Sequence, residues 1–134
     1  MSNPLHQWHD LVKTKALDKI GDILADDVVM HSPVVHTPVQ GKKMVTLYLT
    51  AAFYTFLNEH FTYIRELSDD SNAILEFTTQ IDGIHVNGVD MIAWNEDGKI
   101  VDFKVMVRPL KAVNLIHQKM GALLETFKDK IPHS

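Results

Sequence analysis

Residues 88–110, GVDMIAWNEDGKIVDFKVMVRPL, read as two strands joined by a tight turn at Glu96-Asp97-Gly98. A glycine at the corner between two apolar runs is a hairpin signal, because it enters backbone conformations that other residues resist. In the returning strand Val101, Phe103, Val105 and Val107 alternate with Asp102, Lys104, Met106 and Arg108. A period of two gives one dry face and one wet face. Pro109 ends the ladder, since it has no N–H to donate. Asp90 opens the otherwise apolar run Met91-Ile92-Ala93-Trp94.

The same alternation extends upstream. Leu75, Phe77, Thr79 and Ile81 interleave with Glu76, Thr78, Gln80 and Asp82, so residues 73–82 form a strand with one apolar face. Residues 60–67 form another extended segment, set off by the turn-rich Ser68-Asp69-Asp70-Ser71-Asn72. Asp82-Gly83 marks a corner, and Asn87-Gly88 either a further turn or a bulge. From Lys42 to near Asn58 the apolar residues cover most of a helix's circumference, which predicts a helix largely buried against the sheet. Before it, residues 28–31 read as a short strand, and Pro33 and Pro38 bracket an irregular loop.

At the beginning of the chain Asn3-Pro4 suits a helix start. Leu5, Trp8, Val12, Ala16, Ile20, Ile23 and Leu24 then recur at three- and four-residue steps, predicting one helix that Ala25-Asp26-Asp27 ends. Ala112, Leu115, Ile116, Met120, Leu123, Leu124 and Phe127 predict a last helix before a polar tail over residues 128–134. The order implies an α+β fold in one domain, 1–134. A cone-shaped, strongly curved and mostly antiparallel sheet carries helices packed on its concave face. The apolar interior of such a cone is a usual place for a small-molecule pocket.

Composition narrows the function classes. The chain has 134 residues, 46% of them hydrophobic and 22% charged, an ordinary globular balance. A net charge of −4 with no basic block argues against nucleic acid as a partner. With no cysteine, disulfides and thiol catalysis are excluded. No stretch has the length to cross a bilayer, and the first residues lack the apolar core of a signal peptide, so a cytoplasmic protein with no membrane partner is expected. The eight histidines show no metal-ligand spacing, and neither a metal nor another cofactor is expected.

Two stretches resemble the nuclear transport factor two-like superfamily, in its ketosteroid isomerase and SnoaL-like (polyketide cyclase-like) branch. The first is Ala25-Asp26-Asp27, followed by Pro33-Val34, Pro38 and Gly41; the second runs from Val89-Asp90 to Asp97-Gly98-Lys99-Ile100-Val101. Ser32-Pro33-Val34-Val35, Gly88-Val89-Asp90 and Arg108-Pro109-Leu110 are similar to SnoaL-like proteins of unassigned activity. The resemblance implies a homodimer through the outer face of the sheet, which an outward Met106 also suits. It further implies that Asp90 is the acid that hydrogen-bonds a developing enolate oxygen. In that pattern the general base falls on Ser32 and is missing, and the tyrosine of the first helix falls near Trp8, whose indole N–H can donate. His31 and His36 are candidate substitute bases, although alternation turns His31 away from the face of Ser32.

Asp90 has two readings. It is either an ordinary carboxylate at a strand edge, bonded to Arg108, an amide or water, or a carboxyl pointing into the cone beside Ile92 and Trp94. In the second case burial without a cation keeps it protonated, as in ketosteroid isomerase, which is itself a documented example of a neutral carboxyl donor. Arg108 either clamps an anion or closes the strand end. Candidate ligand contacts are Trp8, Met30, Ser32, Tyr48, Phe53 and Phe56 from the first half of the chain. The second half adds Phe77, Ile92, Trp94, Phe103, Val105 and Val107. Three functions follow: a cofactor-free isomerase or cyclase acting on a small apolar carbonyl compound, a carrier of an apolar ligand, or a dimerising scaffold.

Overall fold

A computed structural model describes residues 4–128. The chain runs α1 (Pro4–Thr14), a 3₁₀ segment (Leu17–Ile23), β1 (Leu24–His31), β2 (Val39–Gln40) and α2 (Lys42–Phe56). Then come β3 (Thr62–Ser68), β4 (Asn72–Ile81), β5 (Ile84–Trp94), β6 (Ile100–Arg108) and α3 (Leu110–Lys128). The six strands form one sheet in the order β2-β1-β6-β5-β4-β3. Every pairing is antiparallel except β1 with β6, which is parallel. The fold is α+β, a curved sheet with helices gathered on one side.

Turn chemistry sets the corners of the meander. Asp82 and Gly83 both have positive φ, 52° and 80°, which matches the two-residue hairpin turn whose twist suits the strands it joins. At the next corner Gly98 has φ 75°, and the Asn95 side-chain oxygen accepts the Asp97 and Lys99 N–H groups at 3.0 Å. Asp69 Oδ1 closes the β3–β4 turn in the same way, accepting from Ser71 and Asn72. Along β4 burial alternates strictly. The one buried polar side chain on its dry face, Thr79, bonds Asn58 Oδ1 at 3.0 Å and the Phe56 carbonyl at 3.4 Å.

Three expectations need correction. The first predicted helix is broken: α1 stops at Thr14, Lys15 takes φ 55°, and a 3₁₀ segment leads into a strand that begins at Leu24. The break puts Ile20 and Ile23 into the core on a new axis instead of continuing the face of Leu5, Trp8 and Leu11. Asn87-Gly88 is neither turn nor bulge, because the two residues pair in register with Thr78 and Phe77. Glycine is required there by contact: a Cβ on Gly88 would lie 2.4 Å from Phe77 Cζ and 2.9 Å from the Met106 carbonyl oxygen. A short strand, Val39–Gln40, pairs with β1 inside what reads as loop. Asn3 as helix cap and the tail beyond Lys128 lie outside the described residues.

Candidate functional site

Asp90 sits in the middle of β5 on the inner face, flanked in register by Leu75 of β4 and Val105 of β6. Both neighbours are apolar and buried, and Asp90 itself is only 7% exposed. The third strand along, β3, has a register shift between Tyr63 and Arg65, and Tyr63 opposes Phe77. From that far strand the Tyr63 hydroxyl donates to Asp90 Oδ2 at 2.7 Å. Trp8, reaching down from α1, donates its Nε1–H to the Tyr63 oxygen at 2.9 Å. The chain of donors therefore runs Trp8 to Tyr63 to Asp90.

That chain fills only one oxygen of the carboxyl. Asp90 Oδ1 makes no hydrogen bond among the described residues. Since no buried side-chain oxygen among them is left without a partner, Oδ1 still opens on free space. Burial pushes the Asp90 carboxyl up to about 7, and the Tyr63 hydrogen bond pulls it partly back. Burial and the Asp90 charge together push the Tyr63 hydroxyl well above its usual range, so it stays a donor. Near neutrality Asp90 is therefore a carboxyl poised between acid and base, with one oxygen held and the other presented.

The space it faces is aromatic. Trp8 meets Phe53 edge-on at 5.4 Å and Phe103 at 4.8 Å. Phe61 stacks on Phe77 at 5.2 Å with 26° between planes, and Phe56 meets Phe77 edge-on. The free volume is about 30 Å³, enough for a water or two and far below that of a ligand-sized pocket. Half-buried Val12, Ala52, Leu57, Phe61 and Tyr63 form its open side. A wider groove of about 400 Å³ lies on the outer face of the sheet, between Arg65, Leu67, Ile74 and Met106. Of its charged groups, Arg65 lies 3.3 Å from Glu76 and Arg108 donates to the neutral Asn87 side chain.

Of the residues expected from sequence, the cavity wall brings together Trp8, Phe53, Phe56, Phe77, Phe103, Val105 and Asp90. The others lie elsewhere. His31 points to the outer face, where its Nε2 is 3.1 Å from Asp102 Oδ2. His36 sits in the exposed loop before β2, beside a surface groove that also touches His31 and Ser32. The Ser32 hydroxyl accepts the Val34 N–H at 3.2 Å, closing its own turn. Met30 and Ile92 are core residues away from the void, and Tyr48 and Val107 are half-buried outside it. Trp94 leaves the cone because the β5–β6 register shifts at that residue, and its indole N–H goes to the Asp70 carbonyl at 2.9 Å. Arg108 donates to Asn87 Oδ1 at 2.8 Å. Sequence reasoning passed over Tyr63, whose signal was the spacing of Phe61 and Tyr63 on one face of a strand. No group of side chains suited to a metal ion occurs among the described residues, and none of their helices is long and apolar enough to cross a membrane.

Residues 5–103 match the family model described as SnoaL-like domain. A Pseudomonas aeruginosa protein described as a steroid delta-isomerase is similar in structure. It has a TM-score of 0.88 at 34% identity over 94% of this chain and 92% of its own. A protein with a cystatin-like fold from Silicibacter pomeroyi has a TM-score of 0.82 at 29% identity, covering 89% and 83% of the two chains. A putative ketosteroid isomerase from Kribbella flavida, with a TM-score of 0.63 at 15% identity over 79% and 76%, shares the fold alone. No curated protein sequence matches the chain.

Proposed function

Because the chain belongs to the SnoaL-like domain family, we propose that it binds a small, mostly apolar carbonyl compound in the inner cavity. Asp90 Oδ1 meets the ligand's oxygen and, in its protonated form, stabilises the enolate that forms there during an isomerisation or cyclisation. The observation that carries this reading is the donor chain Trp8–Tyr63–Asp90, ending at an open oxygen in an apolar cavity. A ring-sized ligand needs more than the present free volume, so binding widens the side formed by Val12, Ala52, Leu57 and Phe61. Similarity to the Pseudomonas aeruginosa steroid delta-isomerase supports the reaction class.

One observation favours a carrier without chemistry. The position of the general base in the resembled isomerases holds Ser32, and its hydroxyl serves a backbone amide. The two readings share the Asp90 anchor. A fluorescence titration with naphthols of graded acidity, on wild type and Asp90→Asn, tests that anchor. Affinity should vary with naphthol acidity in wild type and lose that dependence in Asp90→Asn. Affinity indifferent to acidity in both would leave an apolar carrier, and no binding in either would remove the ligand site.

The proposal extends to a homodimer through the outer face of the sheet. Leu67 and Met106 there are 64% and 49% exposed and stand with Ile74 around the wide groove. Large apolar side chains grouped on one face mark an interaction surface.

A further inference from the structure

An enolate-forming site needs a proton acceptor as well as an acid, and Ser32, His31 and His36 all lie off the cavity wall. His9 is not on the wall either, but its ring packs against Tyr63, which belongs to the cavity's open side. His9 lies on the turn of α1 that carries Trp8 and Val12, both of which line the cavity. Its ring meets Tyr63 edge-on, with centroids 5.5 Å apart and planes at 88°, and Tyr63 is the residue that holds Asp90. Its Nε2 is 2.5 Å from Glu66 Oε1 on β3.

The hydrogen bond to Glu66 fixes the tautomer. An ionised carboxylate only accepts, so in the neutral ring Nε2 carries the proton and Nδ1 the lone pair. Nδ1 makes no hydrogen bond among the described residues, and the side chain is half-exposed rather than sealed. A helix, a carboxylate and an aromatic face thus orient one ring at the rim of the site, with its basic nitrogen free. Orientation of the base by a third group is the arrangement that makes an imidazole an effective proton acceptor.

We propose that His9, oriented by Glu66, is the proton acceptor of the Asp90 site, acting on a flat ketone with an acidic C–H near its carbonyl. This rests on the reading of Asp90 given above. The ketone oxygen accepts a hydrogen bond from Asp90 Oδ1, and the acidic carbon faces the mouth. His9 Nδ1 takes the proton while the C–H electron pair passes into the enolate. The imidazolium so formed is held by Glu66. Return of the proton to the same carbon, or to a conjugated one, releases ketone and neutral His9, so no co-reactant is consumed. His9 is the catalytic residue and Glu66 its positioning residue. His31 and Asp102 form a similar pair at 3.1 Å on the outer face, with no cavity beside it.

The test follows the exchange of the C1 protons of 2-tetralone, a flat two-ring ketone, into D₂O by NMR, with binding read by tryptophan fluorescence. Wild type should accelerate the exchange. H9Q should slow it by about 100-fold or more, the ordinary worth of a general base, with affinity within about threefold of wild type. E66Q should slow it by roughly tenfold or more, as loss of an orienting carboxylate does, and H31Q should match wild type. Loss of exchange in D90N but not in H9Q overturns the role of His9 and leaves the Asp90 reading standing. Tight binding with no catalysed exchange in wild type also overturns the role of His9 and leaves Asp90 as a binding anchor alone. If H9Q and E66Q lower the melting temperature but leave exchange per folded molecule unchanged, the pair merely staples α1 to β3 and the inference fails. If wild type neither binds nor exchanges 2-tetralone, both ideas fall together.

Discussion

The two faces of the sheet keep their polar groups in opposite ways. On the outer face several charges have partners: Arg65 Nε lies 3.3 Å from Glu76 Oε1, His31 pairs with Asp102, and Arg108 donates to Asn87. On the inner face, one residue from outward-facing Val89, Asp90 has two neutral donors in line behind it and no cation among its contacts. A paired surface charge contributes little to stability. A buried carboxyl supported only by hydroxyl and indole donors resists ionising, and its second oxygen remains unspent. The contrast teaches where to look for function: at the polar group whose burial is least compensated.

The sharpest way to break this contrast is through pH. The folded state holds the Asp90 proton up to about 7, against an ordinary aspartate value of 3.8. The folded protein therefore binds the proton more tightly than the unfolded chain does. Asp90's contribution to stability is full below the unfolded pKa, falls as pH rises from there through about 7, and is flat beyond. The loss is on the order of 4 kcal/mol for a shift of this size. Asp90→Asn does not titrate, so its stability relative to wild type should climb by that order between acid and mildly alkaline pH. Urea unfolding at a series of pH values measures the difference, and parallel curves for the two proteins would mean that Asp90 is not held neutral.

A smaller effect should follow at Gly88, which leaves room on the inner face for the Phe77 ring. Gly88→Ala should cost about 1–3 kcal/mol, as overpacking does, since Phe77 and the Met106 carbonyl must both give way. Denaturant midpoints would check it, and a change under 0.5 kcal/mol, the ordinary scatter of surface substitutions, would mean the contact relaxes freely. The least effect on the subunit's own stability should come from the outer face. Met106→Glu, exposed as that residue is, should alter it by no more than about 0.5 kcal/mol. Sedimentation should nonetheless give half the wild-type mass if a second copy covers that face. Equal masses for the two proteins would place the interface elsewhere or remove it.

The sequence made much of this legible because the meander is built from local signals. Strict alternation in β4, glycine at both hairpin corners and the apolar circumference of α2 each declare their element without reference to the rest. Asp90 was legible for the same reason, as one carboxylate in an apolar run. Its partner was not. Tyr63 lies on β3 and Asp90 on β5, with β4 between them, so their contact depends on Phe77 packing over a glycine and on a register shift in β3. No short window contains that information. The break in the first helix was hidden differently, since Lys15 is neither glycine nor proline and takes its left-handed conformation under tertiary demand. His9 and Glu66 look like any two surface residues until α1 is laid against the edge strand.

The single parallel pairing, β1 with β6, also sets an order of events in time. It joins Leu24 to Ile100 and His31 to Lys104, across most of the chain, whereas β3 to β6 are linked by short turns. Loop closure makes distant pairings slow and neighbouring ones fast. The meander, with Asp90 already in place, can thus assemble before the first third of the chain docks and brings Trp8 onto Tyr63. The two tryptophans fall on either side of that divide: Trp94 belongs to the early hairpin, Trp8 to the late closure. The cavity is the final product of folding, and one indole is positioned to signal the moment it exists.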